Sequence, residues 1–496
     1  MKKRKPCLTV LALGLIAAGA LAATSCGRDA IFSIIYHEVP PVPPMIRGGP
    51  TRMVVFNWHT PLEATTESTL ENECGLPAEE CACQDNESGS SGGGSDNVAA
   101  TYRPIMFVAS GSLFWYTPKH RNNDGSWDNT TATWALPIGI EQPPGRRILD
   151  IAATQTFLYA LTGTGIDNTL YRINPYLVAN GTGWEDVWRG NIQSIAADPK
   201  GDKLFAGVRV AGGAHEIRFV AGDATTLSAL AGTSGRPLPS VDGDRTTDDT
   251  GLLTGAVFLS GIYYLSTGLT TIGTIFRVEG VTATPHVVGR PGSGTAPGTE
   301  SPNGIGNFKS IIRLPDDSII AVHRDRNGGG FLYQSRGDYF ARIPRPTPSP
   351  QDDAGEGSTE NGDTPPPQVY VSTGRVATSA LAIWEGDGAQ GKALAVGVQG
   401  SLTAATFNNG YVEFPLTDNG SIDASEDRRD ATRLVSVQGQ NDQYITSLGR
   451  LAINHLFQAP YEIDANRTFF ASTQTAGLWS FQYRDGRYQW NAQPRP

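Results

Sequence analysis

Few residues in this 496-residue chain have the types and spacing that chemistry needs. Asp242, Asp244, Asp248 and Asp249 bring together oxygen ligands of the kind that hold Ca²⁺. The run lacks the closing Glu of an EF-hand-like loop, so it reads as a solvated acidic loop. His323 with Asp325 follows a strand pattern, and no nucleophile or second base accompanies it, which suits a structural histidine. Cys74, Cys81 and Cys83 form an odd set, consistent with one disulfide from Cys74 to Cys81 or Cys83 and one leftover thiol. Their spacing lacks a fourth metal ligand, and no His lies within residues 60–101. Gly-x-Ser-x-Gly, His-Glu-x-x-His and phosphate-loop patterns are absent from the sequence. The reading therefore expects no catalytic residue, no metal and no cofactor.

The elements that must position these residues repeat along the chain. Related segments begin at Gly111, Asn168, His215, Gly273, Gly330, Gly400 and Gly477, each a turn or polar residue ahead of an apolar run. They lie about 47 to 77 residues apart, near the unit length of radial β-repeats with insertions. A second apolar run precedes most of them, as in Phe157–Leu161 and Leu204–Val208, so each unit contains a hairpin. Seven related hairpins predict an all-β β-propeller of seven blades, each with four antiparallel strands; six or eight blades are the alternatives. The expected inner strands are Met53–Trp58, Ile148–Ala153, Ile192–Ala197, Leu252–Phe258, Phe308–Leu314, Ala377–Ile383 and Ile445–Leu451. Expected outer strands include His286–Val288, Tyr411–Phe414 and Gly486–Trp490. Inner strands line a propeller's channel, where propeller hydrolases keep carboxylates or His for base or metal work. Here they carry Ser194, Thr254, Ser310, Ser379 and Thr446, with Asp150 alone acidic in register.

The N-terminus carries the most specific motif. A positive start, Met1 to Lys5, precedes an uncharged apolar run from Leu8 to Ala23, then Thr24, Ser25 and Cys26. The run Ala23-Thr-Ser-Cys26 resembles the lipobox of bacterial lipoproteins, in the relaxed form that resembles those of spirochaetes; Ala23 stands where Leu is usual. The resemblance implies cleavage before Cys26 and a diacylglycerol on its sulfur. It also implies outer-membrane residence, because Gly27 replaces the Asp that retains many lipoproteins at the inner membrane. The domain reading is a signal peptide over 1–25, a tether over 26–52 and a propeller over 53–496. The propeller carries an acidic, Cys-containing insertion at 60–101 and a Pro-rich one at 344–368.

Composition fits an exported all-β domain. Charged residues make up 18%, and 58 Gly with 33 Pro supply many turns. The net charge of −10 argues against nucleic acid, whose phosphates need a basic surface. Expected partners are the membrane, through the lipid, and an envelope or host protein. The favoured function is a non-catalytic, lipid-anchored platform in the cell envelope for protein interaction or assembly. In outline it resembles the propeller lipoprotein of the outer-membrane assembly machinery. Leu158-Tyr159-Ala160-Leu161 is the fragment of that family's repeat motif present here, and the resemblance covers architecture. The alternatives are a propeller hydrolase or lyase with a channel metal site, and a surface adhesin or carbohydrate binder. For the latter, Trp127, Trp184 and Trp188 are the candidate stacking residues.

Overall fold

Second strands in this chain are apolar on both faces, so each must be covered from both sides. Leu158–Gly163 (LYALTG) is buried over its first five residues, and Lys392–Gln399 is buried from Ala393 to Val398. A single sheet face cannot satisfy such strands; stacking of sheet on sheet can. The computed structural model describes residues 46, 48–57, 104–123, 126–145, 147–177, 183–210, 215–233, 252–268, 274–285, 287–289, 307–324, 330–337, 339–346, 369–385, 392–399, 410–430, 452–474, 477–484 and 487–492. They form a seven-bladed β-propeller.

Blade one is Val54–Phe56, Ile105–Ser110, Ser112–Thr117 and Thr133–Ala135. Blade two is Ile148–Ala153, Leu158–Gly163, Asn168–Ile173 and Glu185–Gly190. Blade three is Ile192–Ala197, Lys203–Arg209, His215–Ala221 and Ser228–Ala229. Blade four is Leu253–Leu259, Ile262–Thr267, Ile275–Glu279 and Thr282–Pro285. Blade five is Asn307–Arg313, Ile319–Arg324, Gly330–Arg336 and Tyr339–Arg342. Blade six is Val376–Glu385, Lys392–Gln399, Gly410–Pro415 and Arg429–Asp430. Blade seven is Ile453–Gln458, Phe469–Thr473, Leu478–Arg484 and Arg487–Ala492. Within each blade, consecutive strands pair antiparallel, as hairpin connections require. The turn Ser260-Gly261 joins two strands of blade four with both residues at positive φ, +50° and +81°, the backbone a two-residue hairpin turn demands.

Three strand assignments differ from the sequence expectation. Tyr411–Phe414 belongs to the third strand of blade six, paired directly with Lys392–Gln399, and the outer strand is the short Arg429–Asp430. The echo beginning at Gly400 lies outside the described residues. Blade seven's inner strand is Ile453–Gln458, just after the expected Ile445–Leu451, which lies outside the described residues. Blade four closes with Thr282–Pro285, while Val287–Gly289 crosses to pair parallel with the outer strand of blade five. In each case neighbouring apolar runs compete for one slot, and packing chooses between them.

The core is seven interfaces, one between each pair of neighbouring blades. Between blades one and two lie Phe56, Phe107, Ile148 and Ile151, and between two and three Tyr159, Leu161, Ile195 and Leu204. Phe205 and Phe219 meet Tyr263 and Phe276, and Val257 meets Phe308 and Tyr333. Leu332 meets Val396 and Phe414, and Tyr411 meets Phe469 and Leu456. The seventh interface joins the ends: Met106, Tyr116 and Trp134 of blade one pack on Phe470 and Leu478 of blade seven. Tyr116, Trp134 and Phe470 form a ring trio with centroids 5.0 to 5.4 Å apart. Ile46, wholly buried, joins the same cluster, and its carbonyl accepts from Leu478 N at 3.1 Å. All four strands of each terminal blade come from one continuous stretch of chain, so side chains and this short backbone strap close the ring.

Replacing Ile46 by Ala should therefore cost about 2–5 kcal/mol, the usual range for a fully buried Ile, although it precedes the first strand. Urea unfolding measures this, and an unchanged midpoint would remove Ile46 from the seam.

Candidate functional site

The channel is where a propeller most often does chemistry, and its lining comes from the inner strands. Six of these strands slip register near their start. The shifts fall between Ile148 and Asp150, Ile192 and Ser194, Leu253 and Gly255, Phe308 and Ser310, and Ile453 and His455. Blade six has a wider one between Ala377 and Leu381. A bulge bends the strand and re-aims the side chains at these positions.

They hold neighbouring blades together. Arg52, just before the inner strand of blade one, grips Asp150 of blade two with two bonds, Nε to Oδ1 at 3.1 Å and Nη2 to Oδ2 at 2.8 Å. Ile151 N also donates to Asp150 Oδ1 at 2.9 Å. Burial raises the Asp150 carboxyl above its usual range, and Arg52 opposes that shift. His455 of blade seven is pushed down to about 3 by burial and by Arg52, so its imidazole is neutral at physiological pH. Ser194 Oγ accepts from Leu253 N of blade four at 2.8 Å. Ser379 Oγ donates to Asn454 O of blade seven at 2.9 Å. Thr254 Oγ1 and Ser266 Oγ lie 2.8 Å apart within blade four. Lys309 has its ammonium pKa lowered by burial and then by Arg324.

At the channel end formed by the turns from first to second strands, a cavity of about 430 Å³ opens between blades three to six. Asp198, Lys200, Arg313 and Asp317 line it among apolar residues. Its two carboxylates and its guanidinium are engaged too. Asp198 accepts from Phe258 N at 2.7 Å and Lys200 N at 2.9 Å, and Arg313 donates to Asp317 at 2.6 and 2.8 Å.

The remaining candidates separate widely. His323 is buried between Phe308 and Tyr333, its ring centroid 5.1 and 5.2 Å from theirs, a packing role. Asp325, Thr446, the acidic group from Asp242 to Asp249, and Cys26, Cys74, Cys81 and Cys83 lie outside the described residues. Among the described residues, no helix is long and apolar enough to cross a membrane. Trp184 donates its indole N–H to Glu141 O at 2.7 Å, and Trp188 lies under the Arg218 guanidinium at 5.2 Å. Trp127 differs, being 41% exposed. Two channel residues, Arg52 and His455, escaped sequence reasoning. Arg52 fell in the tether, and His455 just beyond the stretch expected as the inner strand of blade seven; the signal that would have found His455 is the regular gap from inner to second strand.

No family model matches the chain, and no curated protein does. Among solved structures it is similar to an ancestral GH74 enzyme, at 12% identity and TM-score 0.44 over 78% of this chain and 44% of that one. The chain thus spans less than half the length of that enzyme. It is also similar to the BP39L lectin of Burkholderia pseudomallei, at 11% identity and TM-score 0.40 over 78% of this chain and 94% of that one. A third match is the β-propeller domain of the Trilobed protease from Pyrococcus furiosus, at 7% identity and TM-score 0.35 over 78% and 92%. These likenesses are of fold alone, and one fold hosts many functions.

One buried acid has a measurable consequence. Glu413, on the third strand of blade six, is 2% exposed, and burial pushes its carboxyl up to about 7 against the pull of Arg429 and Tyr411. The unfolded chain releases this proton near 4.5, so between these values the folded state holds the extra proton. The stabilising contribution is full below the lower value and lost as pH rises through the upper one. At about 1.4 kcal/mol per pKa unit this is worth about 3 kcal/mol. Glu413→Gln should raise the urea midpoint at pH 8 and leave it near wild type at pH 5. Equal effects at both pH values would exclude Glu413 as the titrating group.

Proposed function

We propose that the protein is a lipid-anchored, non-catalytic propeller that serves as an interaction or assembly platform in the cell envelope. The observation that carries this reading is the pairing of Asp150 with Arg52. The one acidic side chain that the inner strands offer in register is tied by two bonds to a guanidinium across a blade interface. A carboxylate so held has its lone pairs committed and is a poor general base. Asp198, Arg313 and Asp317 at the cavity mouth are committed in the same way, to backbone N–H groups or to each other. A rigid ring whose polar centre is structural leaves recognition to its loops, which vary without disturbing the sheets. The lipobox-like run before Cys26 supports the anchor, and anchoring raises the effective concentration of any partner in the same membrane.

Three variants test the reading together. Cys26→Ala should abolish palmitate labelling and release the chain from membranes. Deleting 234–251, part of the connection from blade three to blade four, should weaken co-purification of an envelope protein without changing the melting of the ring. Asp150→Asn should cost about 1–3 kcal/mol by leaving half-buried Arg52 without its anion, while partner capture persists. A hydrolytic activity that Asp150→Asn abolished would replace this reading with the enzymatic one.

A further inference from the structure

The inner strands begin at the channel end opposite the cavity of about 430 Å³. Two cations of blade five come together at this end: Lys309 on the inner strand and Arg324 on the strand paired with it. Their placement follows from the register. Asn307 pairs with Arg324, Phe308 with His323 and Ser310 with Val322, so Lys309 is the extra residue of the bulge. Phe308 and Ile311 both pack toward blade four, which turns Lys309 out of that interface. Val322 packs toward blade six, and strand alternation puts Arg324, two residues on, on the same face. Both cations are half-buried.

Nothing described around them supplies the opposite charge. No carboxylate among the described residues pairs with Lys309 or with Arg324. Residues 376–379, Val-Ala-Thr-Ser, open the inner strand of blade six, which packs against both strands of blade five, and they contain no acid. Blade one shows the contrast at the same end of the channel, where Asp150 meets Arg52 with two bonds. Burial, and after it the charge of Arg324, hold the Lys309 ammonium below its usual pKa. A desolvated ammonium beside a guanidinium is unfavourable, and an anion from outside the chain would relieve both the burial and the repulsion.

We propose that Lys309 and Arg324 together bind the oxyanion of a small ligand, a carboxylate or phosphate group, at this mouth of the channel. The guanidinium offers a planar fork that matches two oxygens, and the ammonium adds a point charge. This goes beyond the platform reading, which gives the centre of the ring a structural role, and it is judged apart from that reading.

The test is calorimetric titration of the full chain with sodium phosphate and with sodium acetate, at neutral pH and at an ionic strength held constant with sodium chloride. At least one of the two anions should bind saturably, and Lys309→Met and Arg324→Gln should each weaken that binding about tenfold or more. Phosphate binding alone assigns a phosphate group, acetate binding alone a carboxylate, and binding of both the chemistry they share. With chloride as the only added anion, Lys309→Met should leave the urea midpoint unchanged or raise it, because the substitution removes a like-charge contact. A midpoint lowered by Lys309→Met would show that the chain itself supplies a partner, and would overturn the inference. So would a wild type that binds neither anion, binding undiminished in both variants, or binding gained only in Asp325→Asn. Co-purification after deletion of 234–251 judges the platform reading separately.

Discussion

Everything in this molecule depends on closing a ring whose sheets are sticky on both faces. A blade with a fully apolar second strand has two surfaces to hide and only its neighbours to hide them, so an open array would leave an apolar face at each end. The seventh interface removes both ends at once. It does so with Tyr116, Trp134 and Phe470 in edge-on and tilted contact, and with Ile46 inserted from the N-terminal side. Four strands from one stretch of chain make each terminal blade, so the seam holds by packing and by short bonds such as Gly477 N to Gly48 O at 2.9 Å. The strap from Ile46 to Thr51 therefore belongs to the seam itself, with Thr51 N bonded to Ala109 O at 2.7 Å.

Ring closure also explains the chemistry of the channel. Seven inner strands converge on one axis, and room there is short: a Cβ on Gly255 would sit 2.9 Å from the Ile311 side chain of the next blade. The repeated bulges relieve this crowding and turn short polar side chains toward the neighbouring strand. Buried backbone groups at the blade boundaries need partners, and Ser194 and Ser379 supply them. Arg52 and Asp150 bring a full charge pair to the same task. The polarity of the centre follows from packing sheets around an axis, which weakens any inference from channel polarity to catalysis.

Turns at one end of the ring interlock blades one and seven and, with blade two, shape a small cleft lined by Trp115, Trp127, Tyr176 and Glu462. The ties from Asp464, Asn466 and Asn129 sit in the same loops as Glu462 and the Trp127 hairpin, so this cleft and the seam that closes the ring share their walls.

Sequence by itself pointed to seven blades, with six or eight as alternatives, because strand periodicity and turn residues are local: the segments at Asn168, His215 and Gly330 fall on third strands, and Ile148–Ala153 and Ile192–Ala197 match the inner strands residue for residue. It also singled out Asp150 as the lone acid of the channel. Tertiary structure decided what Asp150 does, since Arg52 lies 98 residues away in sequence and reaches it only once blades one and two have packed. It decided which of two apolar runs became the inner strand of blade seven and the third strand of blade six, because both candidates alternate well and only the face offered by the neighbouring blade separates them. The aromatic cleft was the least legible feature. Trp127 was visible as a stacking residue, but Trp115, Tyr176 and Glu462 come from three blades and share no local pattern. Their proximity is a product of ring closure.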